Sequence, residues 1–168
     1  INPKDNISLL GMYESNGIMT TQCEAEGFRK ICFHPDRPDI LSKYIVRIEA
    51  DKEKYPVLLS NGNLINRSIL KNNRHDIVWQ DPYPKPSYLF ALVAGKLKCV
   101  EDFYTTKSNR KIKIHLYVES GDEVYVQHAI DSLKRAMRWD EDKYELEYDL
   151  DLFNIVAIRH FNMGAMEN

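Results

Sequence analysis

The strongest constraint on this chain's fold is where its hydrophobic period changes. Through the first hundred residues the pattern is one of strand and turn. Tyr44-Ile45-Val46-Arg47-Ile48-Glu49-Ala50 is rich in β-branched and aromatic residues, as strands are. Pro56-Val57-Leu58-Leu59-Ser60 runs into Asn61-Gly62, a dipeptide favoured in tight hairpin turns, and predicts a return strand from Leu64-Ile65 through Leu70. Asp76–Gln80 is a further strand candidate. Pro82-Tyr83-Pro84-Lys85-Pro86 places three prolines in five residues, which argues against regular helix and central strand. The apolar run Tyr88–Ala94 predicts a strand buried on both faces.

After Gly95 the texture is mixed. Ile112, Ile114, Leu116 and Val118 alternate with Lys113, His115 and Tyr117, the period of a half-buried strand. Gly121-Asp122 breaks it, with Asp122 a candidate helix cap. Val126, Ile130, Leu133 and Met137 then recur at steps of four, three and four, predicting an amphipathic helix that ends near Trp139. Leu150, Leu152 and Ile155–Ile158 predict a strand leading to the last five residues. The expected fold class is mixed, mainly β with an α+β C-terminal part, and the expected domain boundary lies near Leu97, giving residues 1–97 and 98–168.

Composition excludes several classes of function. A net charge of -2 with interspersed signs offers no basic field for nucleic acid or anionic lipid. No apolar run approaches the roughly 20 residues needed to cross a bilayer. Cys23, Cys32 and Cys99 form neither a disulfide framework nor a CxxC pair, which favours reduced cytosolic thiols. The chain opens on Ile1-Asn2-Pro3-Lys4-Asp5, without an initial Met or a signal peptide, and stops at Asn168; it reads as an internal piece of a longer protein.

Metal and nucleophile chemistry find little support in the residues. The five histidines, His34, His75, His115, His128 and His160, include no pair four apart and no HExxH, so no complete zinc site is expected here. His128 reads as a helix residue, His115 as part of a strand's polar face, and His34 and His75 as turn or edge residues. There is no GxSxG elbow and no glycine-rich phosphate loop. Asp140-Glu141-Asp142-Lys143 reads as a solvated helix end.

Two carboxylate-bearing segments remain. In Thr21-Gln22-Cys23-Glu24-Ala25-Glu26, an extended backbone would turn Gln22 and Glu24 to one face, an amide beside an anion and a fit for an ammonium. A plain polar strand edge is the other reading. In Gly164-Ala165-Met166-Glu167-Asn168, two small residues allow close approach of another backbone, so that a peptide could add as a strand with its cationic end at Glu167. Met163 and Met166 offer adaptable apolar surface. A loop following a buried strand is the alternative.

Taken together, these segments carry a resemblance. Gly164-Ala165-Met166-Glu167-Asn168 is the GAMEN signature of the aminopeptidase N family of zinc peptidases, and Thr21–Arg29 resembles that family's second substrate segment in its bacterial form. Asp36-Arg37-Pro38-Asp39, Tyr55–Asn63, Asp81–Gly95, Trp139-Asp140-Glu141 and Glu147–Asp151 are similar to bacterial members, so the likeness covers nearly the whole chain. The resemblance implies the end of an N-terminal β-rich domain followed by the start of a thermolysin-like catalytic domain. It implies a cytoplasmic, monomeric parent that removes the first residue from peptides with a free amino terminus. Zinc would be the cofactor, held by an HExxH and a distant Glu, with the oxyanion-stabilising Tyr further on; all these would follow Asn168, leaving the 168 residues inactive alone.

What carries over to numbered positions is substrate binding. Glu24 and Glu167 match the carboxylates that hold the α-ammonium, Gln22 the neighbouring amide, Gly164 and Ala165 the peptide-pairing backbone, and Met163 a wall of the first side-chain pocket. Met166 and Asn168 complete the signature. The resemblance also implies a cis peptide between Glu24 and Ala25. An epoxide hydrolase of the same fold family, with a GxMEN-type motif, is disfavoured by the intact GAMEN. A β-rich binding module without chemistry is the alternative from a different class.

Overall fold

The computed structural model describes residues 2–168. They form two compact units, one comprising residues through Lys96 together with Ile158–Asn168, the other Leu97–Ala157.

The first unit contains two sheets. Strands β1 (Gly11–Ser15) and β2 (Ile18–Gln22) form an antiparallel hairpin. They are followed by β3 (Leu41–Asp51), β4 (Val57–Ser60), β5 (Asn63–Ile69), β6 (Arg74–Pro86) and β7 (Leu92–Gly95). One sheet has the order β1-β2-β7-β4 and the other β3-β6-β5. The indole N–H of Trp79 on β6 donates to the carbonyl of Leu58 on β4 at 3.1 Å, satisfying a buried donor while joining the two sheets.

Four sequence expectations change here. Asn61-Gly62 closes no hairpin, because β4 pairs with β7 while β5 pairs with β6. The dipeptide instead passes the chain from one sheet to the other. The Asn61 side chain bonds Leu89 and Ala91, and Gly62, at φ +86°, lies so close to β6 that a Cβ would sit 2.1 Å from the Gln80 carbonyl oxygen. The three prolines do lie in a strand. β5 pairs β6 only as far as Gln80; beyond it the Asp81–Pro86 half of β6 has β3 alone as partner, so missing N–H groups on the open side cost nothing. The run Tyr88–Ala94 is strand only in its second half, since Ser87–Leu89 forms a 3-10 turn before β7. His75 lies within β6, buried, with its Nε2 2.7 Å from the Tyr55 carbonyl oxygen.

The second unit follows the expected alternation closely. Strands β8 (Lys98–Thr105), β9 (Lys111–Val118) and β10 (Leu152–Val156) form a sheet in the order β10-β9-β8, with β10 parallel to β9. Helix α1 (Val126–Tyr144) covers it. Ile112, Ile114, Leu116 and Val118 are buried against Val126, Ile130 and Met137, and Leu133 packs at the margin, as the period predicts. The helix does not stop at Trp139, and Asp122 makes no side-chain cap bond. The reason for the extra turn is Glu141, which is 1% exposed rather than solvated. Its carboxylate accepts from the Tyr104 hydroxyl at 2.8 Å and from Arg138 at 2.9 Å. Burial and this bond push the Tyr104 hydroxyl up to about 12. Glu145, at φ 56°, then ends the helix in the left-handed region.

Gly62→Ala would force both a left-handed backbone and a clash with β6. It is expected to destabilise the protein by at least about 2 kcal/mol, read as a lowered urea midpoint; an unchanged midpoint would contradict the tight junction.

Candidate functional site

The segment carrying Gln22 and Glu24 leaves β2 and turns at once. The expected extended run does not form, because β2 ends at Gln22 and the next residues bend back. The Gln22 Oε1 accepts the Glu24 backbone N–H at 3.0 Å, and the Gly27 N–H returns to the Cys23 carbonyl at 2.7 Å. Gly27 is required here, since a Cβ would lie 2.7 Å from the Gln22 carbonyl oxygen. The Glu24–Ala25 peptide is cis. Gln22 is fully buried with its Nε2 unpartnered, whereas Glu24 is half-buried and Glu26 exposed. The two side chains therefore differ in access, with the amide behind the carboxylate's backbone.

Beyond this loop a 3-10 turn, Phe28–Lys30, is held by Asp36. The buried Asp36 carboxylate accepts the Arg29 backbone N–H at 2.9 Å, the Arg29 Nε at 3.2 Å and the Ser87 hydroxyl at 2.5 Å. Burial pushes its acidity down, but the hydrogen bonds from Ser87 and Arg29, with the guanidinium charge, outweigh that and hold the carboxyl below its ordinary 3.8. Cys23 packs beside this network with Phe28 and Phe90. Burial, then the charges of Asp36 and Cys32, push the Cys23 thiol up to about 12, so it stays protonated and is no nucleophile.

The terminal segment returns to the same unit. Residues 157–168 form no strand, because no strand among the described residues offers them a ladder. Side chains hold them instead. The Tyr13 hydroxyl donates to the His160 carbonyl at 3.0 Å, the His160 N–H donates to Ser15 Oγ at 3.1 Å, and Asn162 Nδ2 donates to the Leu9 carbonyl at 3.2 Å. Asn168 Nδ2 reaches the carbonyls of Leu89 and Phe90, both at 3.3 Å. Met163, Gly164, Ala165 and Glu167 are exposed, and Met166 is half-buried. A Cβ at Gly164 would meet nothing within 4 Å, so this chain's own packing does not require the glycine.

Both segments thus rest on the stretch 87–92. Phe90 packs edge-on against Phe28 with ring centroids 5.0 Å apart, the Leu92 N–H donates to Thr21 Oγ1 at 2.9 Å, and Asn168 caps the carbonyls of Leu89 and Phe90. Ser87, Asn61, Asp36, Tyr13 and Ser15 carry this arrangement, yet nothing in the sequence marked them as site residues. The only signal was that Asp36, Asn61 and Ser87 lay in stretches that resemble the family.

Among the described residues no group of three His, Cys, Asp or Glu is placed to hold a metal ion. An open cavity of about 600 Å³ on the second unit's sheet is lined by Glu101, Asp102, Phe103, Lys111, Lys113 and His115, none of them a residue singled out as a substrate contact. Among the described residues no helix is long and apolar enough to cross a membrane.

Together, the fold and this constellation define the class. Residues 6–89 match the peptidase M1 N-terminal domain and residues 128–168 the peptidase family M1 domain. The chain belongs to peptidase family M1. It is 56% identical over 168 residues to aminopeptidase N of Caulobacter vibrioides, 55% over 166 residues to that of Haemophilus influenzae and 52% over 168 residues to that of Escherichia coli. These alignments cover 99–100% of this chain and 19% of each relative. The solved structure of Legionella pneumophila aminopeptidase A, in complex with aspartic acid, superposes with a TM-score of 0.90 at 42% identity, covering 93% of this chain and 18% of that one.

Asp36 gives the site a pH signature. A depressed folded pKa means that the native state binds this proton less readily than the unfolded chain. Its contribution is fully present above about pH 4 and is lost as pH falls through the folded value. Asp36→Asn is therefore expected to flatten the acid limb of the stability curve, followed by urea denaturation between about pH 2 and pH 6. An acid limb identical to the wild type would show that Asp36 carries no such linkage.

Proposed function

We propose that this chain supplies the amino-terminus recognition part of a zinc-dependent aminopeptidase that removes the first residue from peptides. The observation that carries the reading is that the Glu24 loop and the Glu167 segment, far apart in sequence, both rest on residues 87–92. Family membership and relatives named aminopeptidase N support the same class.

In this reading Glu24 and Glu167 hold the substrate's α-ammonium. Gln22, its Oε1 bonded to the Glu24 N–H, fixes the loop behind that carboxylate, with its Nε2 buried and unpartnered. The backbone of Gly164 and Ala165, open on one side, pairs with the incoming peptide. Met163 and Met166 line the pocket for the first side chain, and Asn168 fastens the segment through Leu89 and Phe90. The Legionella relative was solved with aspartic acid, a molecule that carries the α-ammonium this reading assigns to the two carboxylates.

The register of hydrolysis follows from charge. A cation fixed by two anions sets how far the chain enters, so the bond after the first residue is the one presented for cleavage. Each charge-assisted hydrogen bond contributes about 1.5–3 kcal/mol, which discriminates a free amine from a blocked one. The residues present here do not fit a zinc ion. We assign its HExxH and Glu ligands, the water-activating Glu and the oxyanion Tyr to sequence beyond Asn168. We likewise assign residues 1–97 to the N-terminal β-rich domain and 98–168 to the catalytic domain of a monomeric protein. The unpaired Cys23, Cys32 and Cys99 accord with a reducing, cytoplasmic setting.

In the full-length protein, Glu167→Gln is expected to lower kcat/KM on free-amine substrates by about 10- to 100-fold. It should narrow the preference over acetylated peptides and leave zinc content unchanged. Wild-type kinetics and wild-type discrimination would overturn the reading. The 168 residues alone, purified with zinc and given an aminoacyl-arylamide, are expected to show no turnover; zinc-dependent release of the arylamine would place the catalytic machinery within them.

A further inference from the structure

The stretch 87–92 makes more side-chain-to-backbone bonds than its own conformation needs. Asn61, itself buried, brackets Phe90: its Nδ2 donates to the Leu89 carbonyl at 2.9 Å while its Oδ1 accepts the Ala91 N–H at 2.7 Å. The same Leu89 carbonyl accepts Asn168 Nδ2, one residue from Glu167. At the other end, Ser87 Oγ donates to Asp36, whose second oxygen holds the turn that follows the Glu24 loop. One short segment is thus bonded at Ser87 towards the turn that follows the Glu24 loop and at Leu89 towards the residue after Glu167.

We propose that Asn61 and Ser87 are positioning residues that set the separation of Glu24 and Glu167, and thereby the affinity for an α-ammonium. The proposal rests on the recognition reading above. Neither side chain touches substrate in it. Asn61 acts on Glu167 through Leu89 and Asn168, and Ser87 acts on Glu24 through Asp36 and Arg29. Two carboxylates grip one small cation only while both lie within charge-assisted hydrogen-bond distance, and a shift of either forfeits most of one bond. The hydrolytic step depends on groups held elsewhere. The effect therefore falls on KM more than on kcat.

The test uses the full-length protein with an aminoacyl-arylamide. Asn61→Asp keeps the shape and the acceptor to Ala91 but replaces the donor to Leu89 with a second acceptor. Ser87→Ala removes only the bond to Asp36. Each is expected to raise KM about 3- to 10-fold with kcat within about twofold. In the background that lacks the carboxylate each one positions (Glu24→Gln for Ser87→Ala, Glu167→Gln for Asn61→Asp), the same substitutions are expected to raise KM less than twofold, a non-additivity that general destabilisation does not produce. Folded Ser87→Ala protein with wild-type KM, or effects that multiply fully in those matched backgrounds, would overturn the positioning role. Should Asn61→Asp not fold, Ser87→Ala alone decides. Glu24→Gln with unchanged KM and kcat would instead sink the recognition reading, so the two failures are distinguishable.

Discussion

The first unit depends on one buried carboxylate. Asp36 is removed from water, a costly state for an anion unless it is paired and fully bonded. Here it accepts from two Arg29 groups and from Ser87, so the cost is met and the three partners are held together. Those partners belong to parts of the chain that no strand ladder joins directly: the turn after the Glu24 loop and the turn before β7. Removing the charge would release both. Aromatic packing of Phe28, Phe90 and Tyr44 around Cys23 adds apolar area to the same junction but lacks direction; the carboxylate provides it.

The legible parts of the sequence were those whose information is local. The alternation of β9 and the apolar period of α1 depend only on neighbours two, three or four residues away, and both held in detail. The misread parts were set by distant partners. Asn61-Gly62 has the composition of a hairpin turn, yet its strands belong to different sheets because β4 is claimed by β7 and β5 by β6. The prolines of β6 are tolerated because β5 ends early, a fact written nowhere near them. Glu141 sits in a charged run but is drawn inward by Tyr104, a strand residue 37 positions earlier.

The same division applies to the candidate site. Motifs revealed Glu24 and Glu167 because their chemistry is carried by short contiguous words. The distant partners that hold them were invisible. Tyr13 meets the His160 carbonyl across 147 positions, and Asn168 meets Leu89 across 79. A tyrosine or an asparagine has no local signature for such a bond, because either is equally at home satisfied by water.

The Glu167 segment has no strand partner of its own, so its backbone would be free to wander without outside bonds. The bonds to Tyr13, Ser15, Leu9, Leu89 and Phe90 that restrain it end on β1, on the residues just before it, or on the stretch leading into β7. The Glu24 loop is bound at its base to β2, which is hydrogen-bonded to both β1 and β7. On the recognition reading, the spacing between the two carboxylates is therefore inherited from the strand spacing of one sheet rather than from either loop. A sheet holds its strands at regular spacings through its ladder of hydrogen bonds. On that reading, such stiffness lets the two glutamates measure a single ammonium group.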